Sequence, residues 1–488
     1  MANVFADSGY RTGMFGKWHL GDNYPYRPKD RGFQTVVAHK GGGVGQTPDF
    51  WGNNYFDDTY FHNGRPVAHE GYCTDVWFQE ATRFIESVKD EPFFAYIATN
   101  APHHPYLVAD SYRQPYDGNA AIPEPAFYGM IANIDENFGK LRDRLQQWGL
   151  EGNTVLIFMT DNGSSGGCRL DADQFVTQGY NAGMRGRKGS YYDGGHRVPF
   201  FVRWPARGIG DSRDIEELAL HVDVLPTLIE LCGLKPPPGV EFDGVNLAPL
   251  LGGERRSLQG DRVHFVQFRQ NTALPDKWTN AVMTRRWRLV RGKELYDITT
   301  DPGQQRDVAP EHPDVVERLR AAHETWWDEV SPRLEEYCPI SLGNDAENPT
   351  RLNAMDVLGD VAWNQGHIMM ARRSTGKWAV DVERTGRYRF TLRRWPEELD
   401  LPLDAELPPE QAERIAPFQP DQEPKAVHPR VALLKLFRNE FAQDVDPGAR
   451  EAAFDLEVRD TGVAQLEAWF IDEDGSRQGA YYVRVERF

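Results

Sequence analysis

The sequence predicts an α/β fold with a mostly parallel sheet, a small α+β subdomain and a C-terminal β-sandwich. In the front two thirds, apolar runs of strand length alternate with amphipathic helical stretches, an order that is typical of an α/β fold. From about residue 260 a hairpin-like pattern and one helix follow. After residue 339, strand-like segments alternate apolar and polar residues with no strong helix between them, which favours a sandwich. We therefore predict domains at residues 1–259, 260–338 and 339–488.

The elements of the α/β part follow one another with distinct apolar spacings. Apolar residues recur at helical spacing in "TDVWFQEATRFIESVKD", which predicts a helix with Thr74 or Asp75 as its N-terminal cap. The continuous apolar run "PFFAYIATNAPHHP" predicts a buried parallel strand. A long amphipathic helix, closed by Gly149, is predicted for "PAFYGMIANIDENFGKLRDRLQQWGL". This part is completed by two further strands and a helix: "NTVLIFMTDNGSSGG", "VPFFVRWPARG" and "DVLPTLIELCGL".

The remainder of the chain predicts shorter, antiparallel elements. The segment "AVMTRRWRLVRGKELYDITTDPG" alternates like a hairpin, and "DVVERLRAAHETWWDEV" predicts a helix after it. The strands predicted for the sandwich are "GKWAVDVE", "GRYRFTLRRW", "VALLKLF", "AAFDLEV", "QLEAWFID" and "AYYVRVERF". The acidic, proline-bearing stretch 398–425 is predicted to be a long surface loop among them.

Composition excludes some classes of partner. The chain has 55 basic and 73 acidic residues, a net charge of −18, so nucleic acid and anionic membranes are not expected as partners. Any anion must therefore be held by a local basic pocket. No apolar run is long enough for a transmembrane segment, and "MANVFADSGYRTG" does not have the pattern of a signal peptide. Four scattered cysteines predict neither a disulfide framework nor a zinc cluster.

Polar side chains cluster where predicted strands end, the usual place for sites in open α/β sheets. If "GMFGKWHLG" continues as a strand, two of these side chains share one of its faces. Taken singly, each candidate also fits an ordinary surface pair, a polar turn or a solvated basic face. The candidates are Lys17 and His19 in "GKWHLG", His103 and His104 in "NAPHHPY", Asp161 and Asn162 in "MTDNG", and Lys188 in "GMRGRKGSYYDGGHRVP".

Together these residues form a consistent chemical inventory. Asp161 and Asn162 offer hard oxygen ligands that suit Ca²⁺ or Mg²⁺ rather than zinc. Lys17, Lys188 and the histidines offer donors to a tetrahedral oxyanion. A metal, clamping cations and an imidazole are what transfer from a sulfate or phosphate ester requires.

The order of the motifs resembles that of the type I sulfatases of the alkaline-phosphatase superfamily over roughly residues 1–330. The motifs are "GYRTGMFGKWHLG", "PHHP", "TDNG", "RGRKGSYYDGGHRVPFFVRWP", "DVLPTL" with "DGVNLAPLLGG", and "LYDITTDPGQQRDVA". The resemblance implies that Asp161 and Asn162 bind calcium and that Lys17 and Lys188 hold the sulfate oxygens. It implies that His19 bonds the nucleophile and helps to release sulfate, and that His103 contacts or protonates the leaving group. All six residues are then expected to converge on one cleft at the C-terminal edge of the sheet.

One part of the family pattern is not found in this sequence. The family has two consecutive aspartates and a Cys-x-Pro-Ser-Arg element before "GKWHLG", and oxidation of that cysteine to formylglycine creates the nucleophile. None of Cys73, Cys168, Cys232 and Cys338 lies in such a context. The chain is therefore expected to begin about one β-α segment late, to lack the nucleophile and to be inactive as given.

Three functions remain open on the sequence alone. The first is hydrolysis of a sulfate ester of a small molecule or carbohydrate, for which the family implies a periplasmic or secreted location. The second is hydrolysis of a phosphodiester or phosphonate monoester at a similar metal site. The third is a non-catalytic protein whose sandwich binds glycan. The sequence does not indicate an oligomeric state.

Overall fold

A computed structural model describes residues 1–210, 212–254, 261–269, 274–418 and 423–488. These residues divide into two compact units, which we call the terminal unit and the middle unit. The terminal unit comprises Ala2, Gly9–Asn100 and Tyr337–Phe488, and the middle unit comprises Met1, Asn3–Ser8 and Ala101–Glu336. The predicted boundary between residues 259 and 260 lies outside the described residues, and the three predicted domains stay a prediction.

The helices predicted from apolar spacing are present. The α-helices of the described residues are α1 (Ala2–Asp7), α2 (Cys73–Val88), α3 (Asp110–Arg113), α4 (Pro125–Gln147), α5 (Asp193–His196), α6 (Val224–Cys232), α7 (Ala248–Leu251), α8 (Pro313–Val330), α9 (Gln365–Met369) and α10 (Pro409–Ile415). Those predicted from apolar spacing are α2, α4, α6 and α8. Gly149 follows α4 in a left-handed conformation, which confirms the predicted end of that helix. The predicted cap of α2 is wrong, because the helix begins at Cys73 and both Thr74 and Asp75 lie in its first turn.

A five-stranded sheet occupies the front of the terminal unit. Its strands are β1 (Arg11–Gly16), β2 (Thr35–Ala38), β3 (Thr59–His62), β4 (Arg65–Ala68) and β5 (Phe93–Ala98). The order is β4-β3-β2-β1-β5, with β1 parallel to both β2 and β5 and with antiparallel pairing elsewhere. Met14 and Phe15 of β1 are fully buried, and Phe15 packs against Phe84 of α2. The sheet is therefore parallel only around its inner strand β1.

Strand β5 is less buried than its apolar sequence predicts. It pairs with β1, and the described residues provide no second neighbour for it. Its side chains are half-buried or exposed, and Tyr96 is 44% exposed. A parallel strand was correctly predicted, but a buried one was not, because β5 lies at the edge of its sheet.

The middle unit is built from small antiparallel sheets. Its strands are β6 (Leu156–Met159), β7 (Cys168–Leu170), β8 (Val176–Gly179), β9 (Phe200–Arg203), β10 (His264–Gln267), β11 (Asn280–Met283), β12 (Trp287–Val290) and β13 (Glu294–Asp297). The sheet β10-β11-β12-β13 contains the predicted hairpin and shares a buried cluster with Leu319 of α8. Strands β6 and β9 were predicted to be buried members of a mostly parallel sheet. Within the described residues they pair only with each other, in antiparallel register.

Two further sheets lie in the terminal unit after residue 339. Their strands are β14 (Ile340–Leu342), β15 (Thr350–Asn353), β16 (Lys377–Val382), β17 (Gly386–Arg393), β18 (Pro429–Leu436), β19 (Asn439–Asp444), β20 (Ala452–Val458), β21 (Gly462–Asp472), β22 (Arg477–Gly479) and β23 (Tyr482–Arg487). One sheet has the order β14-β16-β21-β18-β19 with β22 beside β21, and the other has the order β15-β23-β17-β20. Inward residues of both, such as Val380 and Phe390, form one buried cluster. All six predicted strands are confirmed.

The stretch 398–425 is not simply a surface loop, so this prediction is wrong in part. It contains α10, and Leu403, Leu407 and Ile415 are buried. Residues 419–422 of this stretch lie outside the described residues. The apolar residues were visible in the sequence, but the surrounding prolines and acidic residues obscured their spacing.

In the described residues, no helix combines the length and the apolar character needed to cross a membrane.

Candidate functional site

Lys17 and His19 lie just beyond strand β1, in the terminal unit. The strand ends at Gly16, so the two side chains do not share a strand face, and that expectation is wrong. The Lys17 N–H donates to the carbonyl oxygen of Ala98 (2.6 Å), which keeps this segment beside the end of β5. His19 has a φ of +58°, in the left-handed region that few side chains other than glycine adopt. The turn therefore presents an exposed imidazole at the C-terminal end of β1.

The imidazole of His19 lies against the backbone of Gly42. A Cβ atom at Gly42 would overlap Nε2, Cε1 and Cδ2 of His19, so the ring occupies space that only glycine leaves open. The Gly42 N–H donates to Gln46 Oε1 (2.6 Å), which fixes the turn. Sequence reasoning missed this contact, although the run of three glycines at 41–43 was a signal that a side chain approaches the backbone closely.

Buried carboxyl groups hold the same turn. Asp49 accepts hydrogen bonds from the Gly45 N–H (3.0 Å), the Lys40 N–H (3.2 Å) and Asn53 Nδ2 (3.1 Å). Burial raises the pKa of Asp49 from 3.8 to about 8, although the bonds from Gly45 and Asn53 oppose that change. Asp22 accepts from the Gly41 N–H (2.9 Å), and its pKa is also raised by the loss of water around it. These groups organise the backbone that receives the His19 ring.

Asp161 and Asn162 follow strand β6 in the middle unit, in a tight polar turn. Thr160 Oγ1 donates to the carbonyl oxygen of Asn162 (3.1 Å), and Asn162 Nδ2 donates to the carbonyl oxygen of Gly163 (3.2 Å). The Gly163 N–H donates to Gly195 (3.0 Å), and a Cβ at Gly163 would overlap the Gly194 carbonyl. Because the Asn162 amide nitrogen is turned to its own backbone, the amide oxygen remains as its ligand atom. The Asp161 carboxylate is exposed.

Lys188 lies next to this turn. Its backbone N–H donates to the carbonyl oxygen of Ser164 (3.0 Å), two residues after Asn162. Among the residues that the structure describes, none pairs with the Lys188 ammonium group. The structure therefore brings Asp161, Asn162 and Lys188 into one region of the middle unit, joined by a backbone hydrogen bond.

The other basic residues of the "GMRGRKGSYYDGGHRVP" segment have internal partners. Arg185 stacks on Tyr192, with its guanidinium carbon 3.9 Å from the ring centre, and Arg187 donates to the Cys168 carbonyl (3.3 Å). Asp193, the acidic residue of the segment, is fully buried and accepts from Arg288 Nε (2.8 Å). Lys188 is thus the cation of this segment best placed to bind an anion.

His103 lies in the loop after β5, in the middle unit. Its Nδ1 donates to the carbonyl oxygen of His104 (2.7 Å), which leaves Nε2 as the unprotonated nitrogen of the neutral ring. His104 is exposed, and its ring packs edge-on against Tyr106. The preference for His103 over His104 stays a prediction.

The six candidate residues are divided between the two units. Lys17 and His19 belong to the terminal unit, and the other four belong to the middle unit. Their convergence on one cleft stays a prediction. Within the described residues, Asp161 is not part of any cluster of three or more His, Cys, Asp or Glu ligand atoms.

Comparison with known proteins shows which proteins this chain resembles. Residues 1–234 match the sulfatase family model, and residues 187–325 match the model described as N-sulphoglucosamine sulphohydrolase, C-terminal. The chain is 28% identical over 415 residues to an N-acetylgalactosamine-6-O-sulfatase of Bacteroides thetaiotaomicron, covering 65% of this chain and 75% of that protein. It is 25% identical over 283 residues to an uncharacterized sulfatase, YdeN, of Escherichia coli K12, covering 52% of this chain and 47% of that protein.

A solved structure extends the same comparison to the fold. The complex of Ps i-CgsB with k-i-k-neocarrahexaose matches 67% of this chain and 73% of that chain, with a TM-score of 0.57 and 25% identity. The matched part of the molecule therefore has the α/β fold of the alkaline-phosphatase kind. The two family matches together run over residues 1–325, the part in which the motifs resemble those of the type I sulfatases. The chain spans between about half and three quarters of the length of the two curated relatives named above.

Proposed function

We propose that this protein acts on sulfate esters of carbohydrates. The observation that carries the proposal is the hydrogen bond from the Lys188 backbone N–H to the Ser164 carbonyl, because it joins the segment of Lys188 to the turn that contains Asp161 and Asn162. The names of the relatives support a carbohydrate, since one acts on N-acetylgalactosamine-6-O-sulfate by its name and another was solved with a neocarrahexaose. A phosphodiester or phosphonate ester remains the alternative substrate, because the same groups bind either tetrahedral anion.

The oxygen ligands that the turn of Asp161 and Asn162 offers are of the kind that suits a calcium ion. The exposed carboxylate of Asp161 and the amide oxygen of Asn162 are donors that Ca²⁺ prefers, and Mg²⁺ is the alternative. Ca²⁺ usually takes six to eight oxygens, so these two residues would supply only part of its shell. When bound, the ion would neutralise negative charge on the sulfate oxygens.

The side chains of this chain would perform the remaining work. Lys17 and Lys188 would bind sulfate oxygens as point charges, and His19 would donate to the oxyanion that forms. Because His103 already uses Nδ1–H on the His104 carbonyl, it can donate from Nε2 only as an imidazolium. We therefore assign protonated His103 as the acid for the leaving group.

The cysteine that the family oxidises to its nucleophile is not found in this sequence. Cys73 and Cys168 are buried, and none of the four cysteines lies in the family's oxidation motif. We propose that the chain, expressed as printed, binds the sulfated ligand but does not turn it over. The two C-terminal sheets, which we take to form a β-sandwich, would act as an accessory domain.

Binding experiments test this function without requiring turnover. Titration calorimetry of the full chain should show that a sulfated oligosaccharide binds and that its desulfated form binds at least about 10-fold more weakly, because charge-assisted bonds are lost. Lys188→Ala should remove the same preference, whereas Lys140→Ala, on the surface of α4, should not. Equal binding of both sugars, with no effect of Lys188→Ala, would favour the non-catalytic glycan-binding alternative. Stronger binding of a matched phosphate ester would favour the second candidate substrate.

Sulfate release from a small aryl sulfate is the complementary assay. We expect none from the chain as printed. Clear, metal-dependent release that Lys17→Ala abolishes would contradict the proposed absence of the nucleophile.

A further inference from the structure

A group of side chains whose ligand atoms lie close together is found in the terminal unit, apart in sequence from Asp161 and Asn162. His62 ends strand β3, His69 follows strand β4, and Glu80 lies on helix α2. One ligand atom from each lies within 4.8 Å of the other two. We propose that His62, His69 and Glu80 bind a divalent transition metal of the Zn²⁺ class, at a site separate from the oxygen ligands Asp161 and Asn162.

The two histidines are held in place by the backbone of their hairpin. Strands β3 and β4 pair in antiparallel register, and the turn between them uses Asn63 and Gly64, both at positive φ. Asn63 is fixed to strand β2, since its Oδ1 accepts from the Val36 N–H and its own N–H donates to the Val36 carbonyl (2.9 Å each). The His69 N–H donates to the Asp58 carbonyl (2.8 Å). The hairpin therefore presents both rings without further ordering.

The two imidazole rings already bring one ligand nitrogen each to the same place. The two Nε2 atoms are 2.9 Å apart and the rings stack, with centres separated by 5.0 Å. In the metal-free pair one Nε2 must carry a proton and the other must accept it. For both to bind a metal, that proton moves through solvent to Nδ1 of the same ring, so two neutral rings lose no proton overall.

The donor set selects the class of metal. Two imidazole nitrogens and one carboxylate suit Zn²⁺ and similar ions, whereas Ca²⁺ and Mg²⁺ prefer oxygen ligands. Bonds of about 2.0–2.2 Å in a tetrahedral site place ligand atoms roughly 3.3–3.5 Å apart. The rings would open slightly and the Glu80 carboxylate would move inward, both within the reach of side-chain rotation. Three protein ligands leave a fourth position for water.

Arg83 is the competitor that the metal must displace. It lies one helical turn after Glu80 and forms an ion pair with it, while its own side chain is 68% exposed. An exposed guanidinium returns to water at little cost, because surface ion pairs contribute little to stability. Removal of Arg83 should therefore strengthen metal binding, an effect opposite in sign to removal of any ligand. The bound ion would join the hairpin to helix α2 and stabilise the terminal unit.

The test is a metal titration of the full chain in excess Ca²⁺, which saturates oxygen-donor sites. Co²⁺ binding is followed by its visible absorption, and Zn²⁺ affinity is then obtained by competition. We expect one tight site, with affinity lowered at least about 10-fold in His62→Asn, His69→Asn and Glu80→Gln, since even outer-shell changes cost 10–100-fold. Arg83→Gln should raise the affinity several-fold more than Arg65→Gln, which removes the same charge from the hairpin. His428→Asn, a change at an exposed histidine elsewhere in the unit, should leave the affinity unchanged.

A measurement on the wild-type protein tests the proposal even if the variants fail to fold. X-ray absorption of the zinc-loaded chain should show two imidazoles and oxygen ligands, with no sulfur. Zinc should also raise the melting temperature of the wild type but not that of His69→Asn. Cysteine ligation, no tight site, or affinity that is unchanged in both histidine variants would overturn the proposal.

Discussion

The strands of the C-terminal sheets and strand β5 of the five-stranded sheet bury their apolar residues to very different extents. In the C-terminal sheets, Trp378, Phe390 and Leu434 are fully buried, and strands such as β17 have partners on both sides. In the five-stranded sheet, β5 is apolar along its whole length yet pairs only with β1 among the described residues.

The contrast follows from the two kinds of sequence pattern. A strand that alternates apolar and polar residues has one apolar face, and packing against one other sheet is enough to bury that face. A continuous apolar run needs cover on both faces and neighbours on both edges. The C-terminal sheets therefore contain their own core, whereas β5 does not obtain full burial from the described residues. Substitutions in the C-terminal core and in β5 should accordingly have very different costs.

The largest effect is expected in the C-terminal core. Phe390→Ala should lower the free energy of unfolding by about 3–5 kcal/mol, because it removes a fully buried ring and leaves a cavity. Urea unfolding of the full chain measures the loss. Val463→Ala, on the exposed face of β21, is the matched control and should change stability by no more than about 0.5 kcal/mol. A cost below about 1 kcal/mol for Phe390→Ala would show that these sheets do not pack as described.

Local patterns explain what the sequence could predict. The alternation in "GRYRFTLRRW" and "VALLKLF" is set by one buried face, so strands β17 and β18 were found. The end of α4 was found because Gly149 favours a left-handed closure. The motifs that place Lys17, His103 and Asp161 at strand ends were equally local.

Features that depend on distant partners were not predictable. Strand β1 ends at Gly16, and the left-handed turn at His19 depends on the space left by Gly42. The partner of β6 is β9, more than forty residues later, and no pattern in either strand specifies antiparallel pairing. The group of His62, His69 and Glu80 likewise needs a hairpin and a helix to come together.

The second prediction concerns the pH dependence of stability. The C-terminal cluster is apolar, whereas Asp49 is buried in the turn after β2, with a pKa raised to about 8 by burial. Because the pKa of Asp49 is higher in the folded state than in the unfolded state, the protonated carboxyl group stabilises the fold. This stabilisation is complete below the unfolded pKa, near 4, and is lost as the pH rises through about 8. Asp49 should therefore account for a loss of roughly 4 kcal/mol of stability between pH 5 and pH 9.

The variant Asp49→Asn isolates this contribution. It should be less stable than the wild type at pH 5, since the amide group cannot accept all three bonds, and the deficit should narrow toward pH 9. Denaturant unfolding at each pH measures the difference. Parallel pH curves for the two proteins would show that Asp49 is not the titrating group.

A smaller effect is expected where the His19 ring meets the glycine turn. Gly42→Ala should cost about 1 kcal/mol, because the new methyl group displaces an exposed imidazole that can rotate away. Gly43→Ala is the matched control, since its Cβ would lie 3.4 Å from Gln46 Nε2, an ordinary contact. Nuclear magnetic resonance of the His19 ring should detect a shift in the first variant only. A shift of equal size in both would mean that the turn moves as a whole.

The smallest effect is expected at the exposed position of β5. Tyr96→Ser should change the free energy of unfolding by about 0.5–1 kcal/mol, because the side chain is 44% exposed and loses chiefly its stacking with Phe33. Tyr388→Ser is the matched change in β17, where the ring is 1% exposed and its hydroxyl donates to the Arg384 carbonyl (2.6 Å). That change should cost several-fold more in the same urea titration. Equal costs for the two tyrosines would show that β5 is covered in solution, either by a second chain or by a segment of this one. Sedimentation of the wild type and Tyr96→Ser over a range of concentrations then distinguishes the two, since only cover by a second chain depends on concentration.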